Sequence, residues 1–420
     1  MRILYFHQHF CTPKGASGTR SYEFATTLIA RGHQVTMVCG TNQIAKTGIP
    51  EPPTKDGVAR GVVDGIDVIV LPVAYSNRDS LAKRVLLFAK FALRSTLIAL
   101  REPCDLVFAT STPLTAAIPG IFAKWFRRKP FVFEVRDLWP ELPRALGMKN
   151  PFLLAAMSLL EWFAYHAADA LVGLSPGIVE GIKRRAPQKT PVTMIPNGCD
   201  LTLFSPELRR EIAAPGLVKG DFVAGFTGAH GIANALDAAL DAASVLKRRN
   251  ATRIKLLFIG DGNRRDALVE RARREGLDNC VFLPPVPKTE LSTLTASLNC
   301  GMMLLKNVPA FYHGTSPNKF FDYIAAGIPV LNNYPGWLAG LITASHCGIV
   351  VPPNAPEDFA DALIRLANSP DDNAAMRHNA RLLASQSFAR EKHAAAWCDF
   401  ICAAAQNRRA KENTAPFQIR

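Results

Sequence analysis

The sequence is short of negative charge. Its 35 Asp and Glu residues stand against 49 Lys and Arg, which gives a formal net charge of +14 at neutral pH. The excess is larger in residues 1–205, which carry 24 basic and 15 acidic side chains. Such a surplus predicts an anionic partner, either a membrane surface or a phosphorylated substrate. Nucleic acid is not predicted, because aromatic residues do not interleave with the basic ones and no zinc-finger or RNA-binding signature occurs.

Metal-binding and disulfide patterns are also missing. The nine cysteines are scattered without a CxxC pair, which argues against a zinc site and against a disulfide framework. No metal and no tightly bound cofactor are therefore predicted. The first nine residues are too short and too polar for a signal peptide, and no uninterrupted apolar run reaches the ~18–20 residues of a membrane-spanning helix. These features predict a cytoplasmic location.

Residues 81–101 come nearest to a membrane segment, but basic residues interrupt them. At roughly 100° per residue, Lys83, Lys90, Arg94 and Arg101 fall on one line of a helix, and leucines and other apolar residues occupy the rest. This pattern is typical of a helix that lies on an anionic membrane, here the inner face of the cell membrane. A second basic patch follows at residues 124–129. The alternative is a core helix whose few charges point to solvent.

Short apolar strands alternate with helical segments along the chain. They are predicted at residues 3–6, 35–39, 66–71, 106–110, 131–135, 170–174 and 192–195, and again at 222–226, 256–260, 281–283, 300–305, 330–332 and 348–351. Strands that are apolar throughout indicate parallel sheets covered on both faces. We therefore predict an α/β protein with two doubly wound Rossmann-like domains, 1–205 and 206–380, a C-terminal helix at 381–407 and a polar tail at 408–420. Ligands of such sheets bind beyond the carboxyl ends of the strands, which predicts a site in the cleft between the domains.

The most informative stretch is SPNKFFDYIAAGIPV, residues 316–330. Ser316 is a natural helix N-cap, and the Pro-Asn-Lys that follows would open the helix. The free amides of a first helical turn form an anion site suited to a diphosphate, to which Asn318 and the charge of Lys319 contribute. Asp322 shares a helix face with Lys319 and has the chemistry to accept hydrogen bonds from a ribose diol. The alternative is a capped helix with a surface Lys–Asp pair.

Two strand ends in the first half carry polar residues. The loop after the first strand contains Gly15, Ala16, Ser17, Gly18 and Arg20, which we predict to contact the acceptor. It lacks the GxGxxG pattern of nicotinamide enzymes. A second strand ends in Arg136 and Asp137, where Asp137 would orient or deprotonate an acceptor hydroxyl. The alternatives are a mobile loop for the first feature and a structural Arg–carboxylate network for the second.

Four strand ends in the second half are glycine- or proline-rich. They supply candidate donor-binding residues and a histidine whose ring would donate to a phosphate or sugar oxygen: Gly228, His230, Gly231, Gly260, Asp261, Val286 and Pro287. Glycines allow the backbone to approach a ligand closely. A lone loop histidine is more often merely solvated, so its interpretation depends on the neighbouring motifs.

Taken together, these motifs resemble glycosyltransferase family 4, whose two-domain architecture is called GT-B. The matching segments are RGHQVT at 31–36, IPNGCD at 195–200, GDG at 260–262, FLPPV at 282–286 and DYIAAGIPV at 322–330. Finer details are similar to a subgroup that builds O-antigen and capsule repeat units and includes transferases of N-acetylated aminodeoxysugars such as fucosamine. Those details are EVRDLWPE at 134–141, GAHG at 228–231 and GTSPNK at 314–319.

The resemblance implies a nucleotide-sugar donor, with UDP as the expected nucleotide, in the C-terminal domain and an acceptor in the N-terminal domain. It also implies transfer with retention of configuration and without a metal. The predicted reaction moves an N-acetylated hexosamine to a polyprenyl-diphosphate-linked glycan acceptor in cell-surface polysaccharide assembly.

The sequence departs from the family pattern at three places. Asp322 stands where the second donor-site glutamate of the family lies, and Gly314 stands at the first. The usual Arg and Lys of the Gly228 loop are absent, and His230 and Lys319 are the candidates to replace them. Arg136 replaces a histidine. Two alternatives stay open, a nucleotide-sugar epimerase of the same architecture and a non-catalytic scaffold of a glycan assembly complex.

Overall fold

The computed structural model describes residues 1–42, 45–50, 57–76 and 79–414, and the chain forms two compact units. The first unit comprises Met1–Pro196 together with the chain from Glu391 onward, and the second comprises Asn197–Arg390. The units divide before the predicted boundary at 205, because Asn197 to Cys199 bond to partners in the second unit. The Asn197 amide donates to Ser316 Oγ at 3.1 Å, and Cys199 pairs with Ala389 in an isolated β-bridge.

The first unit is built on an eight-stranded sheet in the order β3-β4-β2-β1-β5-β6-β7-β8, parallel except for β3. Its strands are β1 (Arg2–Phe6), β2 (Gln34–Asn42), β3 (Ala59–Val63), β4 (Ile66–Tyr75), β5 (Leu106–Thr110), β6 (Phe131–Val135), β7 (Ala170–Gly173) and β8 (Val192–Met194). Its first six helices are α1 (Arg20–Ala30), α2 (Leu81–Arg101), α3 (Ile118–Arg127), α4 (Glu141–Ala145), α5 (Pro151–Ala167) and α6 (Pro176–Arg185).

The second unit has a six-stranded sheet in the order β11-β10-β9-β12-β13-β14, in which every pair of neighbours is parallel. Its strands are β9 (Phe222–Thr227), β10 (Ile254–Ile259), β11 (Cys280–Leu283), β12 (Cys300–Met303), β13 (Val330–Asn332) and β14 (Gly348–Val350). Its helices are α7 (Asp237–Arg248), α8 (Arg265–Arg274), α9 (Lys288–Ser297), α10 (Pro309–Gly314), α11 (Asn318–Ala325), α12 (Trp337–Ala344), α13 (Pro356–Asn368) and α14 (Pro370–Ser387). The predicted pair of doubly wound α/β domains is confirmed.

The last helix, α15 (Arg390–Thr414), returns to the first unit. Its Trp397 is fully buried, with ring centroids 4.7 Å from Phe24 and 4.8 Å from Phe108. The C-terminal helix is therefore part of the N-terminal core rather than a separate element at 381–407. Helix persists to Thr414, past the predicted start of a polar tail at 408, and residues 415–420 lie outside the described part of the chain.

The sequence analysis missed strand β3, which runs antiparallel to β4 at the edge of the first sheet. The connecting residues Asp64 and Gly65 have φ angles of 50° and 83°. An Asp-Gly pair with positive φ is the strongest short-range signal of a hairpin, so this strand could have been predicted.

The exposed side of α2 is more apolar than a charged solvent face would be. Leu86, Leu93 and Leu97 are 68%, 67% and 46% exposed, while Phe91 and Ala99 are buried against the sheet. Helix α2 therefore packs against the core, as in the alternative interpretation, and also exposes leucines; its attachment to a membrane stays a prediction. Among the described residues, no helix combines the length and hydropathy needed to cross a bilayer.

Candidate active site

Polar residues meet at the carboxyl edge of the first sheet, where β1, β5 and β6 lie side by side. The Arg136 backbone amide donates to Ser111 Oγ at 2.9 Å, which joins the end of β6 to the end of β5. The Arg136 Nη1 atom lies 3.4 Å from Nε2 of His7, at the end of β1. The predicted charged strand end is thus in contact with the neighbouring strand ends, as expected for parallel strands.

Asp137 is half-buried beside this group and accepts a hydrogen bond from Thr112 Oγ1 at 2.9 Å. Burial raises the pKa of Asp137, and the Thr112 hydroxyl and the Arg136 guanidinium offset part of that rise. A carboxylate with a raised pKa and a fixed orientation has the chemistry of a general base.

His7 is a site residue that the sequence analysis overlooked. It is 3% exposed and its Nδ1 atom has no hydrogen-bond partner among the described residues. Burial lowers the pKa of His7 well below 6.5, and the Arg136 guanidinium lowers it further. The imidazole is therefore neutral at physiological pH. A polar His-Gln-His run directly after an apolar strand was the signal that could have identified it.

Arg20 does not play the predicted acceptor-binding role. It is 3% exposed and forms a salt bridge of 2.8 Å with Glu134, which is fully buried. Its guanidinium also donates to the carbonyl oxygens of Ile195 and Pro196 at 2.8 and 2.6 Å. Burial alone would raise the pKa of Glu134, but the charge and hydrogen bonds of Arg20, together with Arg136 and Thr110, outweigh it and hold that pKa below its usual value. Arg20 is a structural residue that ties α1 to β6 and to the end of the unit.

The other predicted acceptor residues lie in the loop that leads into α1. The Gly15 amide donates to the Thr12 carbonyl at 3.0 Å, which makes a turn, and Gly15 is buried. Ala16, Ser17 and Gly18 are half-buried. Their contact with an acceptor stays a prediction.

In the second unit, two glycine-containing loops pack together at the carboxyl ends of β9 and β10. The Gly228 amide donates to the Ile259 carbonyl at 3.0 Å, and the His230 amide donates to the Asp261 carbonyl at 2.9 Å. Gly260 has a φ of 150°, and a Cβ built there would lie 2.0 Å from the Gly228 carbonyl oxygen. A side chain at Gly260 would force the two loops apart, whereas a Cβ at Gly231 would meet nothing within 4 Å.

The His230 side chain is enclosed and does not offer the predicted phosphate donor. It is fully buried, with ring centroids 6.1 Å from Phe226 and 6.4 Å from Phe258 and Phe282. Neither ring nitrogen has a hydrogen-bond partner among the described residues. Burial, with a contribution from Arg265, lowers the pKa of His230 to about 4. Its backbone supports the loops, and the neutral ring fills the space among three phenylalanines.

Lys319 reaches the Gly228 loop. Its Nζ atom donates to Asn234 Oδ1 at 2.9 Å and lies 4.3 Å from the centroid of the Phe226 ring. Asn234 in turn donates to the Ala229 carbonyl at 2.7 Å. Burial lowers the pKa of Lys319 to about 7. The cation of Lys319 therefore stands within the loop that the family resemblance associates with the diphosphate.

Helix α11 begins at Asn318, and Ser316 does not cap it because the Ser316 hydroxyl is bonded to Asn197 instead. Pro317 occupies the N-cap position and the helix starts at Asn318. The Ser316 hydroxyl accepts the Asn197 amide at 3.1 Å, and the Ser316 carbonyl accepts the Asn197 side-chain amide at 2.5 Å. The prediction that Ser316 caps the helix is wrong. Gly327 follows the end of the helix with a φ of 63°, a left-handed conformation in which glycine commonly ends helices.

The Asp322 side chain is buried and pairs with Lys288 instead of lying beside Lys319 on an exposed face of α11. It is 3% exposed, and its Oδ2 atom forms an ion pair of 2.6 Å with Nζ of Lys288, which is 5% exposed. The Lys288 ammonium also lies 4.7 Å from the centroid of the Phe204 ring. A carboxylate held this way anchors α11 to the start of α9, and we withdraw the ribose-binding role that the sequence suggested. Asp322 Oδ1 has no hydrogen-bond partner within the described residues.

The remaining predicted donor residues lie at the same edge of the second sheet. Asp261 follows β10 and is half-buried, and Val286 and Pro287 follow β11, where Pro287 precedes the first residue of α9. A cavity of about 390 Å³ adjoins the Gly228 loop and is lined by Gly231, Ile232, Ala235, Leu236, Asp237, Arg264, Leu268 and Lys306. Within the described ranges, no group of three His, Cys, Asp or Glu side chains is placed to hold a metal ion.

Two family models match the chain in sequence. A glycosyl transferase 4-like domain matches residues 15–198, and a glycosyl transferases group 1 domain matches residues 209–383. The chain is 30% identical to the D-inositol 3-phosphate glycosyltransferase of Nocardia farcinica over 188 residues, which are 43% of this chain and 40% of that protein. It is 29% identical to the protein of the same name from Kribbella flavida, over 79% of this chain and 77% of that one.

Solved structures share the fold at low sequence identity. Sucrose-phosphate synthase from Thermosynechococcus elongatus has a TM-score of 0.76 at 17% identity, over 96% of this chain and 98% of that one. Anabaena HepE in complex with UDP and glucose has a TM-score of 0.68 at 17% identity, over 96% and 100%. The two matched domains, residues 15–198 and 209–383, correspond closely to the two structural units, which divide between residues 196 and 197. The chain therefore combines two glycosyltransferase domains, a glycosyl transferase 4-like first domain and a group 1 second domain, in the GT-B fold.

Proposed function

We propose that the protein is a retaining glycosyltransferase that moves an N-acetylated hexosamine from a UDP-linked donor to a polyprenyl-diphosphate-linked acceptor in the assembly of a cell-surface polysaccharide. The donor would bind to the second unit and the acceptor to the first. The observation that carries the proposal is the position of Lys319. This residue lies in the first turn of α11, and its ammonium group contacts Asn234 in the loop that follows β9.

This position suits a diphosphate leaving group. Transfer breaks the bond between the anomeric carbon and the diphosphate, so negative charge grows on a phosphate oxygen. Preorganised donors in a partly dry site stabilise such charge more strongly than water does. The Lys319 ammonium and the free amides of the first turn of α11 are two donors of this kind. Lys319 would do the work of the basic residues that the family pattern places in the Gly228 loop.

In the first unit, Asp137 and Arg136 would serve the acceptor. Asp137 is oriented by Thr112, and Arg136 contacts the neutral His7. We assign Asp137 to the orientation or deprotonation of the attacking hydroxyl and Arg136 to an acidic group on the acceptor. His7 would keep the Arg136 side chain in place without adding a second positive charge.

Nucleotide binding tests the donor half of the proposal. UDP-N-acetylglucosamine at about 100 times its dissociation constant should stabilise the wild type by roughly 2.7 kcal/mol in a thermal-shift experiment. Lys319→Ala should lose most of this stabilisation, and Lys219→Ala, an exposed lysine of the same unit, should keep it. An equal response from both variants would contradict the role of Lys319.

The two alternatives make different predictions with the same reagents. An epimerase converts the free nucleotide sugar without an acceptor, so product formation from donor alone would favour it. A scaffold would show no nucleotide-dependent stabilisation at all. A transferase releases UDP in proportion to added acceptor. Because Asp322 is buried in an ion pair, its substitution would perturb folding, and Lys319 is the better residue for this comparison.

Attachment to an anionic membrane would bring the first unit to its lipid-linked acceptor. Helix α2 supports it with the basic line that Lys90, Arg94 and Arg101 form along one side of the helix. Flotation with anionic liposomes at low and high salt is the test, because surface electrostatics is screened within a Debye length of about 8–10 Å at physiological ionic strength. Absence of binding at both salt concentrations would contradict the membrane partner.

A further inference from the structure

Helix α5 exposes an apolar stripe that the proposed reaction does not use. Phe152, Leu159 and Trp162 are 86%, 57% and 48% exposed. They lie at spacings that place them on one face of a helix, together with the small residues Ala155 and Ala156. The opposite face packs into the core through Ala164 and Tyr165. The helix is therefore apolar on the side that faces water as well as on the side that faces the sheet.

The apolar surface continues onto the neighbouring helix α3. Trp125 and Phe126 at its C-terminal end are 53% and 70% exposed. The Trp125 ring touches Phe163 of α5, with centroids 5.7 Å apart, and Phe163 touches Trp162 at 5.1 Å. The exposed rings of Trp125 on α3 and Trp162 on α5 are thus joined through Phe163.

The leucines of α2 face the same side of the unit. Helices α2, α3 and α5 all contribute buried residues to one core cluster, so they cover the same face of the first sheet and their outer sides point the same way. Arg127 of α3 donates to the carbonyls of Ala99 and Glu102 and holds α3 to the end of α2. We call the combined surface the outer helical face. It consists of Leu86, Leu93, Leu97, Trp125, Phe126, Phe152, Leu159 and Trp162. Single exposed apolar residues are ordinary, but a contiguous set of this size marks an interaction surface.

Charge around this face selects the kind of partner. Across α2, α3 and α5 the sequence has one acidic residue, Glu161, which is buried and forms an ion pair with Arg185. The basic residues at the border are exposed at Arg101 and Arg128 and half-buried at Lys90, Arg94 and Lys129. A second copy of the chain would bring basic borders against each other, whereas anionic lipid headgroups would complement them.

We propose that the outer helical face inserts its aromatic and aliphatic side chains into the boundary between the headgroups and acyl chains of an anionic bilayer. This inference rests on the proposed function for its biological setting, since a lipid-linked acceptor lies in such a bilayer. It goes beyond electrostatic attachment by α2, because burial of apolar side chains in lipid is not screened by salt. Tryptophan is well suited to this depth because its ring is apolar and its indole N–H remains near the headgroups.

Liposome flotation of the full-length protein at high salt tests the apolar contribution. Vesicles of phosphatidylcholine and phosphatidylglycerol should still bind the wild type at about 0.5 M NaCl. At this salt concentration the Debye length is only about 4 Å, so electrostatic attraction to the lipid is largely screened. Phe152→Asp and Leu159→Asp should each weaken binding by about tenfold or more, since each removes one buried apolar side chain and adds a charge repelled by the lipid. Val218→Asp, a matched change at a residue of the second unit that is 65% exposed, should bind like the wild type. Equal binding by all four proteins would overturn the inference.

Tryptophan fluorescence supplies an independent measurement. Brominated acyl chains quench an indole that enters the bilayer, so vesicles made with brominated lipid should quench the wild-type emission. Trp162→Phe and Trp125→Phe should each lose part of that quenching, and Trp337→Phe, in the second unit, should retain it. Quenching that is unchanged in both Trp162→Phe and Trp125→Phe would overturn the insertion.

Two further readouts separate this inference from its rivals. A protein that uses the face for self-association would be a dimer in sedimentation experiments without lipid, and Phe152→Asp would make it a monomer while vesicle binding stayed unchanged, which would overturn the inference. The UDP-sugar thermal shift should be the same in Phe152→Asp and the wild type, because this residue lies outside the donor-binding unit. A wild-type protein that responds normally to the nucleotide sugar but does not insert into vesicles refutes the inference alone. Absence of any nucleotide response in the wild type refutes the proposed function.

Discussion

Lys319 couples donor binding to pH. Its ammonium group is held against the Phe226 ring and the Asn234 amide oxygen, and burial lowers its pKa to about 7. Below pH 7 the lysine of the free protein is mostly charged and a diphosphate binds without proton uptake. Above pH 7 the neutral form dominates, so binding must take up a proton and the affinity falls. The affinity for UDP-N-acetylglucosamine should drop by about thirtyfold between pH 6 and pH 8.5, because one titrating group changes the affinity by up to about tenfold per pH unit above its pKa.

Calorimetric titration of the nucleotide sugar at several pH values measures this effect. The diphosphate of a nucleotide sugar does not titrate between pH 6 and 8.5, so the ligand adds no pH dependence of its own. Lys319→Arg is the control, because a guanidinium remains charged throughout the range and should give a flat profile. A wild-type profile as flat as that of Lys319→Arg would show that Lys319 does not contact the diphosphate.

Arg20 is expected to govern stability rather than acceptor affinity. Removal of one partner of a buried ion pair leaves an uncompensated charge, which costs about 3–5 kcal/mol. Arg20→Ala would leave the buried carboxylate of Glu134 without its cationic partner, so the melting temperature of the variant should fall by many degrees. Arg2→Ala, which removes an ion pair with Asp105 at the surface, should change stability by less than about 1 kcal/mol. Normal melting of Arg20→Ala together with a raised KM for the acceptor would restore the acceptor-binding role.

His230 makes the second unit sensitive to acid. Its pKa is about 4 in the folded chain, below the 6.5 of an unperturbed histidine. Between those values the unfolded chain binds a proton that the folded chain does not, so stability is lost as the pH falls from 6.5 toward 4. The loss due to this residue should reach about 2 kcal/mol at pH 4.5. His230→Phe should unfold with a smaller difference between pH 7 and pH 4.5 than the wild type, and an unchanged difference would show that another group titrates.

At the scale of secondary structure, the packed loops after β9 and β10 depend on glycine. A Cβ at Gly260 would lie 2.0 Å from the Gly228 carbonyl oxygen, so Gly260→Ala must displace the loop in which Lys319 and Asn234 meet. We expect this variant to fold with reduced stability and to bind a nucleotide sugar at least about tenfold more weakly. Gly340→Ala, in α12 of the same unit, is the matched control, because its Cβ meets nothing within 4 Å. Equal affinities for the two variants would show that the loop packing does not shape the donor site.

These elements also show how far the sequence leads. Alternation of apolar strands and helices predicted the two sheets, because a strand that is covered on both faces has apolar residues at nearly every position. The strand ends at Arg136 and at Gly228 were predicted for the same reason, because parallel strands bring their carboxyl ends to one edge. Side-chain partners were not predictable. Lys288 lies 34 residues from Asp322, and Glu134 lies 114 residues from Arg20. Because the partners are so far apart in sequence, no local pattern predicts either ion pair. His230 was misjudged because aromatic neighbours from three strands enclose it.

At the scale of the molecule, the chain crosses from the first unit to the second and returns. The C-terminal helix α15 completes the core of the first unit, where the Trp397 ring lies against Tyr5, Phe24 and Phe108. The acceptor-side residues therefore depend on a segment that follows the entire donor-binding unit in sequence. Folding of the first unit cannot be complete until the last helix has been made.

This dependence predicts a variant that damages one unit and spares the other. Trp397→Ala removes a fully buried indole and should destabilise the first unit by about 3–5 kcal/mol. Because Trp397 and the buried residues of α15 that follow it lie in a core cluster of the first unit, the second unit should still melt at its normal temperature and should still be stabilised by UDP-N-acetylglucosamine. Differential scanning calorimetry with and without the nucleotide sugar identifies each transition, since only the second unit should respond to the ligand. Gln406→Ala, at an exposed position of the same helix, should leave both transitions in place. If the nucleotide-responsive transition is the one that Trp397→Ala lowers, the helix stabilises the donor-binding unit and the division of the chain into these two units is wrong.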